Sequence, residues 1–495
     1  MRVLFVSPEV FPLVKTGGLG DVAGALPVAL QAAGADLRLL MPAYGGTRAA
    51  TNAKPVAALG DPFGLGETVV LQGRLPGNGL KVWLVDNPAL FDRPGGPYQD
   101  SDGLDWADND LRFALLAWAA ARLSQPSSPL AWKPDILHGH DWQCGLAGAY
   151  LQAWGGPRPG IVFTIHNMAF QGLFPSSLMP RIGLPWSLYT MAGCEFWDQL
   201  SYLKAGLVYA DRLTTVSPSY AGEIQLPAGG FGLEGVLAER AAILSGILNG
   251  ADYRIWDPAT DGELSRRYGA EEVAAGKAAN KAVIQAELGL SADPEATLLV
   301  VVSRLSDQKG MDLLLAAIPA ALAQGAQLAL LGSGERPYEQ ALLALAEARP
   351  TQVAVRIGYS EPLAHRLQAA GDVLVMPSRF EPCGLTQIYA LRYGTVPVVR
   401  RTGGLADTVV DATYDSMLQG TATGFVFDQP TAAQLQWSLE RAIGLYRRRP
   451  QWLQLQRQGM AQSFTWEKAA EAYLDLYREI RPVGISVKSS RRAQV

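Results

Sequence analysis

Cysteine and histidine are both scarce in this chain. Its 495 residues include only three cysteines and four histidines. Cys144, Cys194 and Cys383 stand far apart, and their spacing matches neither a disulfide framework nor a zinc motif. Because so few cysteines are typical of proteins in a reducing compartment, we expect a cytoplasmic protein.

The chain also lacks a strong excess of one charge and any long apolar run. Its formal net charge is −4, which creates no global field that would attract nucleic acid or an anionic membrane. The basic clusters at 447–449 and 491–492 are short and are interpreted as solvated surface or tail. The apolar start at 2–7 is too short for the core of a signal peptide, and no run could span a bilayer. We therefore expect a soluble protein with neither a nucleic-acid nor a membrane partner.

The chain contains enough apolar residues to form two cores. It also contains two series of alternating strands and helices. Apolar residues make up 48% of the sequence, and the length is too great for one core. A strand at 3–6, a helix at 19–31 and a strand at 37–41 open the first series, which predicts a doubly wound parallel sheet. A second series begins with the apolar run at 297–302. The fold class is therefore α/β with two Rossmann-like domains, joined near Ser245.

The boundaries follow from these two series. The predicted first domain spans residues 1–244 and the second 245–462, followed by an amphipathic helix within 463–482. The polar, basic end at 483–495 is expected to be disordered. Further strand signals lie at 68–71 and 81–85, which form a candidate hairpin, and at 135–138, 161–165, 212–216, 328–331, 353–356, 373–375 and 396–399.

A turn carrying Glu381 joins a buried strand predicted at 372–376 to a helix predicted at 387–393, and it contains Pro382 and Gly384. Turns at the carboxyl ends of parallel strands face the ligand crevice of an α/β domain. Glu381 is therefore placed to accept hydrogen bonds from sugar hydroxyls, and the start of the following helix offers N–H groups to a diphosphate. The alternative is an ordinary solvated glutamate in a loop.

The loop Lys15-Thr-Gly-Gly-Leu-Gly-Asp21 opens a helix. Its glycines let the backbone approach a diphosphate closely, and Lys15 supplies a positive charge. Residues 18–23 also fit the loose dinucleotide pattern G-x-G-x-x-A, which makes a dehydrogenase the rival. Two features argue against that rival: residues 7–16 separate the glycines from the strand, and Asp36 begins rather than ends the second strand.

This loop has a faint echo in the second half of the chain. Thr16-Gly-Gly-Leu-Gly-Asp21 resembles Thr402-Gly-Gly-Leu-Ala-Asp407, and each places paired glycines before a helix. Chance is one explanation, because glycine-rich turns recur in α/β folds. The other is that both domains present similar loops to a shared cleft.

Histidines follow two of the predicted strands. His138, His140 and Asp141 are conceivable metal ligands, but no further cluster completes a site. We favour a structural role for His138, one histidine facing the cleft, and a turn fixed by Asp141 and Trp142. The pair at 166–167, His-Asn, either lines the same cleft or caps a helix.

Two cations follow the first strand of the second domain. Arg304 and Lys309 lie in one loop, before Gly310 and a predicted helix. Both are able to bend toward one point, which suits a leaving diphosphate, although a pair of surface cations is the alternative. The expectation that Glu381 lies on a neighbouring turn of the same sheet edge favours the functional interpretation.

Taken together, these motifs resemble bacterial glycogen synthase and plant starch synthase, which are retaining glucosyltransferases of the GT-B architecture. Each motif alone is weak, whereas their order along nearly the whole chain is specific. The motifs lie at 15–19, 138–142, 247–252, 303–305 and 381–387. The resemblance implies two Rossmann-like domains that face each other across a cleft, with the helix in 463–482 returning to the first domain.

The resemblance also implies ADP-glucose as donor and the non-reducing end of an α-1,4-glucan as acceptor. Arg304 and Lys309 would neutralise the leaving diphosphate, and Glu381 would hold the glucose. No metal or other cofactor is expected, because the two cations and two helix ends supply positive field. The amides expected to help Glu381 belong to Cys383, Gly384, Leu385 and Thr386.

Further contacts are implied on the other side of the donor. Lys15 and the amides of Gly17 and Gly18 would bind the donor itself. The remaining expected contacts are Asp21 in the glucose pocket, His140 and Asn249 at the sugar, Tyr98 near donor or acceptor, and Tyr359 beside the adenine.

One departure from the wider GT-B superfamily bears on the mechanism. Many retaining members carry a second glutamate eight residues after the first, where this chain has Tyr389. The glycogen synthase branch lacks that second acid too, so the departure favours this branch. Without a carboxylate pair we expect front-face retention, in which the acceptor O4 enters on the side that the diphosphate leaves.

Three alternatives stay open at this point. One is another retaining GT-B transferase that uses a UDP-sugar or a small acceptor. The second is an oxidoreductase, disfavoured by the spacing around the glycines. The third is a catalytically silent glucan-binding protein, disfavoured because the residues needed for chemistry are all present.

Overall fold

The computed structural model describes residues 1–481, which form two compact α/β units. The expected disordered tail at 483–495 and the basic pair at 491–492 lie outside the described residues. The sequence places residues 215–234 in the first domain, whereas their contacts group them with the second unit. Unit 1 comprises Met1–Thr214, Gly235–Ser245 and 470–481, and unit 2 comprises Thr215–Glu234 and Gly246–Ala469.

Twelve strands precede residue 247. They are β1 (Arg2–Val6), β2 (Asp36–Pro42), β3 (Lys54–Gly60), β4 (Thr68–Arg74), β5 (Lys81–Asp86), β6 (Ile136–His140), β7 (Gly160–Ile165), β8 (Leu173–Pro175), β9 (Glu195–Phe196), β10 (Gln199–Ser201), β11 (Arg212–Thr215) and β12 (Leu244–Gly246).

Nine of these strands form the main sheet of unit 1, in the order β12-β11-β7-β6-β1-β2-β5-β4-β3. The pairs from β7 to β5 are parallel, as predicted. Strands β4 and β5 are antiparallel neighbours, which confirms the predicted hairpin, and β3 extends this antiparallel edge. The other three strands form a small antiparallel sheet, β8-β10-β9.

Nine α-helices lie in the same part of the chain. They are α1 (Gly18–Ala32), α2 (Thr47–Thr51), α3 (Pro88–Phe91), α4 (Asn109–Ser124), α5 (Leu146–Trp154), α6 (Tyr202–Tyr209), α7 (Pro218–Glu223), α8 (Pro227–Gly230) and α9 (Glu234–Glu239). Short 3-10 helices occupy Trp142–Cys144, Ser176–Leu178, Trp186–Leu188 and Ala241–Ile243, and another follows at Asp307–Lys309.

Unit 2 is built on a six-stranded parallel sheet in the order β15-β14-β13-β16-β17-β18. Successive residues of its central strand enter opposite cores: Leu298 and Val300 pack on one face, Leu299 and Val301 on the other. A strand buried on both faces needs an unbroken apolar run, which is why the sequence signal at 297–302 is so clear. The strands are β13 (Leu298–Val302), β14 (Gln327–Gly332), β15 (Val353–Ile357), β16 (Val373–Met376), β17 (Val396–Arg400) and β18 (Phe425–Phe427).

Helices cover both faces of this sheet. They are α10 (Val273–Leu288), α11 (Met311–Ala323), α12 (Arg336–Ala348), α13 (Glu361–Ala370), α14 (Thr386–Arg392), α15 (Gly403–Thr408), α16 (Tyr414–Gln419), α17 (Ala432–Tyr446) and α18 (Arg449–Met460), and α19 (Trp466–Ile480) follows them in the chain.

The last helix, α19, confirms the predicted terminal helix, and from Ala470 onward its residues belong to unit 1. Tyr473 and Tyr477 of this helix are buried there. Between residues 1 and 481, no helix has the length and apolar character needed to cross a membrane.

The main sheet of each unit has one point where the strand order reverses. In unit 1 it lies between β1 and β6, and in unit 2 between β13 and β16. At such a point the loops leaving two adjacent parallel strands diverge to opposite faces and open a crevice at the carboxyl ends of the strands. The loops after β1, β13 and β16 and the end of β6 carry most of the candidate residues, whereas Tyr98 lies between β5 and β6, Asn249 follows β12 and Tyr359 follows β15.

Candidate functional site

The loop after β1 in unit 1, residues 7–17, is held by a glutamate that the sequence analysis missed. Glu9 is buried, and its Oε2 accepts hydrogen bonds from the backbone N–H groups of Thr16 (2.6 Å) and Gly17 (3.1 Å). The Gly17 N–H, expected to bind the donor, is therefore already paired. Donor binding through that N–H stays a prediction and requires it to leave Glu9. The side chain of Lys15 lies 2.7 Å from that of Asp21 and forms an ion pair with it.

Tyr98 is tied to the same glutamate. Its hydroxyl donates a hydrogen bond to Oε1 of Glu9 at 2.5 Å. Burial raises the pKa of the Glu9 carboxyl, although the hydrogen bonds from Tyr98, Thr16 and Gly17 act in the opposite direction. Burial also raises the pKa of the Tyr98 phenol, which therefore remains a donor. Tyr98, expected beside donor or acceptor, thus supports the loop through Glu9.

The histidine rings of unit 1 pack against one another at the carboxyl ends of β6 and β7. The rings of His138 and His140 have centroids 4.1 Å apart. His138 is fully buried between the hydroxyls of Tyr477 and Thr164, each 2.6 Å from a ring nitrogen. These contacts agree with the structural role favoured for His138. Nδ1 of His140 lies 2.9 Å from Nε2 of His166, so one ring donates and the other accepts.

His166 is more exposed than His140, which the resemblance implies as a sugar contact. His140 is 0% exposed, and its Nε2 has no hydrogen-bond partner among the described residues. His166 is only partly buried and follows β7 directly, and no helix begins beside it for it to cap. His166 is therefore the more accessible of the two rings, and sugar contact by His140 stays a prediction.

Burial sets the protonation of this cluster. It lowers the pKa of His138 and His140 well below the ordinary value and that of His166 to about 3. All three rings are therefore neutral near pH 7. Asp141 accepts hydrogen bonds from the backbone of His166 (2.6 Å) and Asn167, and so fixes the turn as expected. Burial raises the pKa of Asp141 to about 7. In residues 1–481, no three His, Cys, Asp or Glu side chains are grouped as metal ligands.

In unit 2 the two loops at the switch point meet through an ion pair. Nζ of Lys309, after β13, lies 2.5 Å from Oε2 of Glu381, after β16. Ser378 Oγ donates to the same oxygen at 3.0 Å. Glu381 is only 6% exposed, which rules out the alternative of a solvated loop glutamate. Arg304 is exposed, and its guanidinium lies 3.4 Å from Oε1 of Gln308.

The turn after Glu381 is fixed from two sides. Asn249 hydrogen-bonds to Cys383 through both its backbone and its side chain. Gln387 Nε2 donates to the carbonyls of Cys383 (3.0 Å) and Gly384 (2.9 Å), and Gly384 has a φ of +71° that favours glycine. Burial raises the pKa of the Cys383 thiol to about 12, so it remains a neutral thiol.

The remaining candidate residues border this turn or lie apart from it. Leu385 and Thr386 are half-buried at the start of α14. Tyr359 is 65% exposed, with its hydroxyl 3.4 Å from the carboxylate of Glu361. The structure thus brings Lys309, Glu381, Asn249 and Cys383–Thr386 together within unit 2. Within unit 1 it brings together Lys15, Gly17, Gly18 and Asp21, with Tyr98 joined to them through Glu9.

Glycines let the strand-end loops of unit 2 pack backbone against backbone. A Cβ on Gly403 would overlap the carbonyl oxygen of Glu381, and one on Gly404 would overlap that of Cys383. Gly310 packs in the same way against the loop after β16. The second Thr-Gly-Gly turn therefore serves to pack against the turn that carries Glu381.

The glycines of the first Thr-Gly-Gly turn have a different environment. An added Cβ on Gly17 or Gly18 would meet no atom within 4 Å. An added Cβ on the neighbouring Gly20, by contrast, would lie 3.1 Å from the side chain of Lys15. The space beside Gly17 and Gly18 is consistent with the close approach of a ligand that the sequence predicts at this loop.

Alanine substitution should distinguish the two turns. Gly403→Ala and Gly404→Ala should each lower the free energy of unfolding by about 1–3 kcal/mol, because the new methyl group overlaps backbone. Gly17→Ala and Gly18→Ala are matched controls and should change it by less than about 0.5 kcal/mol. Calorimetric unfolding of the four variants measures the difference. Equal losses in both pairs would contradict the packing argument.

Replacing His138 by glutamine should make the free energy of unfolding less sensitive to acid. The folded ring stays neutral while the unfolded ring binds a proton below about pH 6.5, so its stabilising contribution is present above that pH and lost as the pH falls. The slope is about 1.4 kcal/mol per pH unit. Glutamine can hydrogen-bond to Tyr477 and Thr164 but does not titrate.

Thermal midpoints of wild type and His138→Gln, compared at about pH 8 and about pH 5, measure this difference. The opposite contributions of Glu9 and Asp141, whose pKa values burial raises, occur in both proteins and cancel. A variant that loses as much stability on acidification as the wild type would show that His138 is protonated in the folded state.

Known proteins and family models match this chain over nearly its whole length. The family model of the starch synthase catalytic domain matches residues 2–239, and that of group 1 glycosyl transferases matches residues 289–456. Glycogen synthase of Paramagnetospirillum magneticum is 60% identical, with 97% of this chain and 98% of the relative covered. Glycogen synthase of Rhodospirillum rubrum is 50% identical, with 96% and 98% covered.

Solved structures agree with these matches. The catalytic domain of starch synthase IV from Arabidopsis thaliana, bound to ADP and acarbose, aligns with a TM-score of 0.87 and 32% identity over 97% of this chain and 99% of that one. Sucrose-phosphate synthase from Thermosynechococcus elongatus aligns over 97% and 98% with a TM-score of 0.58 and 17% identity, which shows the fold alone.

These matches confirm the two-domain GT-B fold and the resemblance drawn from the motifs. They exclude the alternative that the chain is an oxidoreductase, and they show that it is an enzyme. The chain belongs to the family of glycogen and starch synthases, which transfer glucosyl units from a nucleotide-sugar donor to a glucan.

Proposed function

We propose that this enzyme transfers glucose from ADP-glucose to the non-reducing end of an α-1,4-glucan, with retention of the anomeric configuration and release of ADP. The observation that carries the proposal is the contact between Lys309 and Glu381 at the strand-order reversal of unit 2. One loop supplies a cation for a diphosphate and the other a carboxylate for sugar hydroxyls, so a nucleotide sugar fits both. The ADP bound to the starch synthase IV domain supports adenosine over uridine.

In this proposal the unit 2 residues surround the bond that breaks. Lys309 and Arg304 stabilise the negative charge that develops on the diphosphate. Glu381, with Asn249 and the amides of Cys383–Thr386, orients the glucose. Tyr359 is the proposed adenine contact.

The proposed contacts of unit 1 are grouped around its glycine loop. Lys15 and the open space beside Gly17 and Gly18 admit the donor, and Asp21 keeps Lys15 in place. Tyr98 supports the loop through Glu9. His140 remains a proposed sugar contact together with the more accessible His166.

The chemistry we propose is front-face substitution. The bond between the glucose C1 and the diphosphate oxygen breaks, and the acceptor O4 bonds to C1 on the same face. The proton of that hydroxyl passes to the leaving phosphate oxygen. Tyr389 stands where many retaining transferases carry a second acid. Oε2 of Glu381 accepts hydrogen bonds from Lys309 and Ser378. Both observations argue against a covalent glucosyl intermediate on these residues.

A cytoplasmic location is part of the proposal. Cys144, Cys194 and Cys383 are all buried free thiols, as expected in a reducing compartment.

Removing either cation should slow turnover strongly. Lys309→Ala and Arg304→Ala should each lower kcat about a hundredfold to a thousandfold, because each loses a contact worth about 2–4 kcal/mol in the transition state. Arg349→Ala, at an exposed position at the end of α12, is the matched control and should keep wild-type kcat. Transfer of radiolabelled glucose to glycogen measures the rates.

The same assay tests whether the donor is ADP-glucose or UDP-glucose. ADP release from ADP-glucose should depend on added glycogen, and UDP-glucose should support little transfer. Near-normal kcat in both cation variants would refute the mechanism. Transfer from UDP-glucose alone would refute the donor.

A further inference from the structure

A short segment of unit 2, residues 217–223, contacts the turn that carries Glu381 through groups other than Lys309 and Ser378. We call it the brace. The brace comprises Ser217 and helix α7, which begins at Pro218. Ser217 Oγ accepts a hydrogen bond from the Tyr220 N–H (3.2 Å) and donates one to the carbonyl of Pro382 (2.6 Å). The hydroxyl thus caps the helix and joins it to the residue after Glu381.

The other end of the brace holds the second Thr-Gly-Gly turn. Glu223, the last residue of α7, accepts hydrogen bonds from the Gly403 N–H (2.8 Å) and the Thr402 hydroxyl (3.1 Å). Between these ends, Ser219 donates to Asp407 through its N–H (2.9 Å) and hydroxyl (2.7 Å). The segment therefore binds both the start and the end of α15.

The Thr-Gly-Gly turn transmits this contact to Glu381. The N–H of Gly404 donates to the carbonyls of Glu381 (3.1 Å) and Pro382 (3.2 Å). Gly403 lies so close to the carbonyl of Glu381 that a side chain would not fit. A shift of Gly403 therefore moves the backbone from which the Glu381 carboxylate extends.

We propose that Glu223 is a positioning residue for transfer, acting through Thr402–Gly404 to fix Glu381 where it holds the glucose. This proposal rests on the proposed function, because it takes the role of Glu381 from there. Glu223 itself touches neither Glu381 nor Lys309. Its role is to accept hydrogen bonds from the Gly403 N–H and the Thr402 hydroxyl, which would otherwise be buried without a partner.

Two variants of similar shape separate this role from simple packing. Glu223→Gln keeps an oxygen that accepts from Gly403 and Thr402, whereas Glu223→Met has none. We expect Glu223→Met to lower kcat/KM for ADP-glucose about tenfold to a hundredfold, since a misplacement of about 1 Å has such an effect. Glu223→Gln should stay within about threefold of the wild type. Glu347→Ala, an exposed glutamate on α12, controls for the loss of charge.

Binding of ADP gives the second readout. ADP lacks the glucose that Glu381 is proposed to hold, so its Kd, measured calorimetrically, should change less than about threefold in Glu223→Met. A merely structural role would lower ADP affinity, thermal midpoint and turnover together. If Glu223→Met does not fold, Thr402→Val, which removes one donor to Glu223, should still lower kcat/KM while ADP affinity is kept.

The outcomes separate the two proposals. A wild-type enzyme that transfers no glucose from ADP-glucose refutes the proposed function. An active wild type, together with wild-type kcat/KM in Glu223→Met, refutes the positioning role alone. Equal losses in Glu223→Met and Glu223→Gln would also refute it, because the charge and not the hydrogen-bond acceptor would then matter.

Discussion

Carboxylates that accept hydrogen bonds from backbone N–H groups hold the strand-end loops of both units in place. Glu9 binds the loop after β1, Asp141 the residues after β7, and Glu223 the start of α15. These loops are irregular, so their N–H groups have no strand or helix partner, and leaving such groups buried and unpaired costs about 1–3 kcal/mol each. A carboxylate can accept several of these bonds at once, and the bonds in turn offset the cost of its own burial.

This arrangement decides which groups remain for a substrate. The N–H groups of Gly17 and Gly403 are taken by carboxylates, so the glycine-rich turns offer a ligand less backbone than their sequence suggests. In unit 2 the side chains of Lys309 and Glu381 then carry the charge at the switch point. Because both are mostly buried, removing one leaves the other unpaired, at a cost of about 3–5 kcal/mol. Fixed charges of this kind need little reorganisation during reaction, which is how an active site stabilises developing charge.

The sequence was sufficient for the fold and for the choice of loops, but not for the contacts inside them. A strand such as β13 is buried on both faces and must be apolar throughout, so it is visible in the sequence. The strand order then determines which loops adjoin, and that brought Lys309 and Glu381 together as expected. Glu9 was missed because nothing in its local sequence shows that the chain folds back over it. The sequence also marks where the strands before His140 and His166 end, but not how deeply each ring is buried.

The two Thr-Gly-Gly turns show why a repeated motif does not determine a role. Each turn is held by a glutamate from elsewhere in its unit, Glu9 in one and Glu223 in the other. Beyond that likeness the surroundings differ, because open space adjoins Gly17 whereas the backbone of Glu381 fills the space beside Gly403. The glycines of one turn are compatible with the approach of a ligand, and those of the other with the approach of a neighbouring loop. Both uses need the absence of a side chain, so the sequence is the same and only the packing distinguishes them.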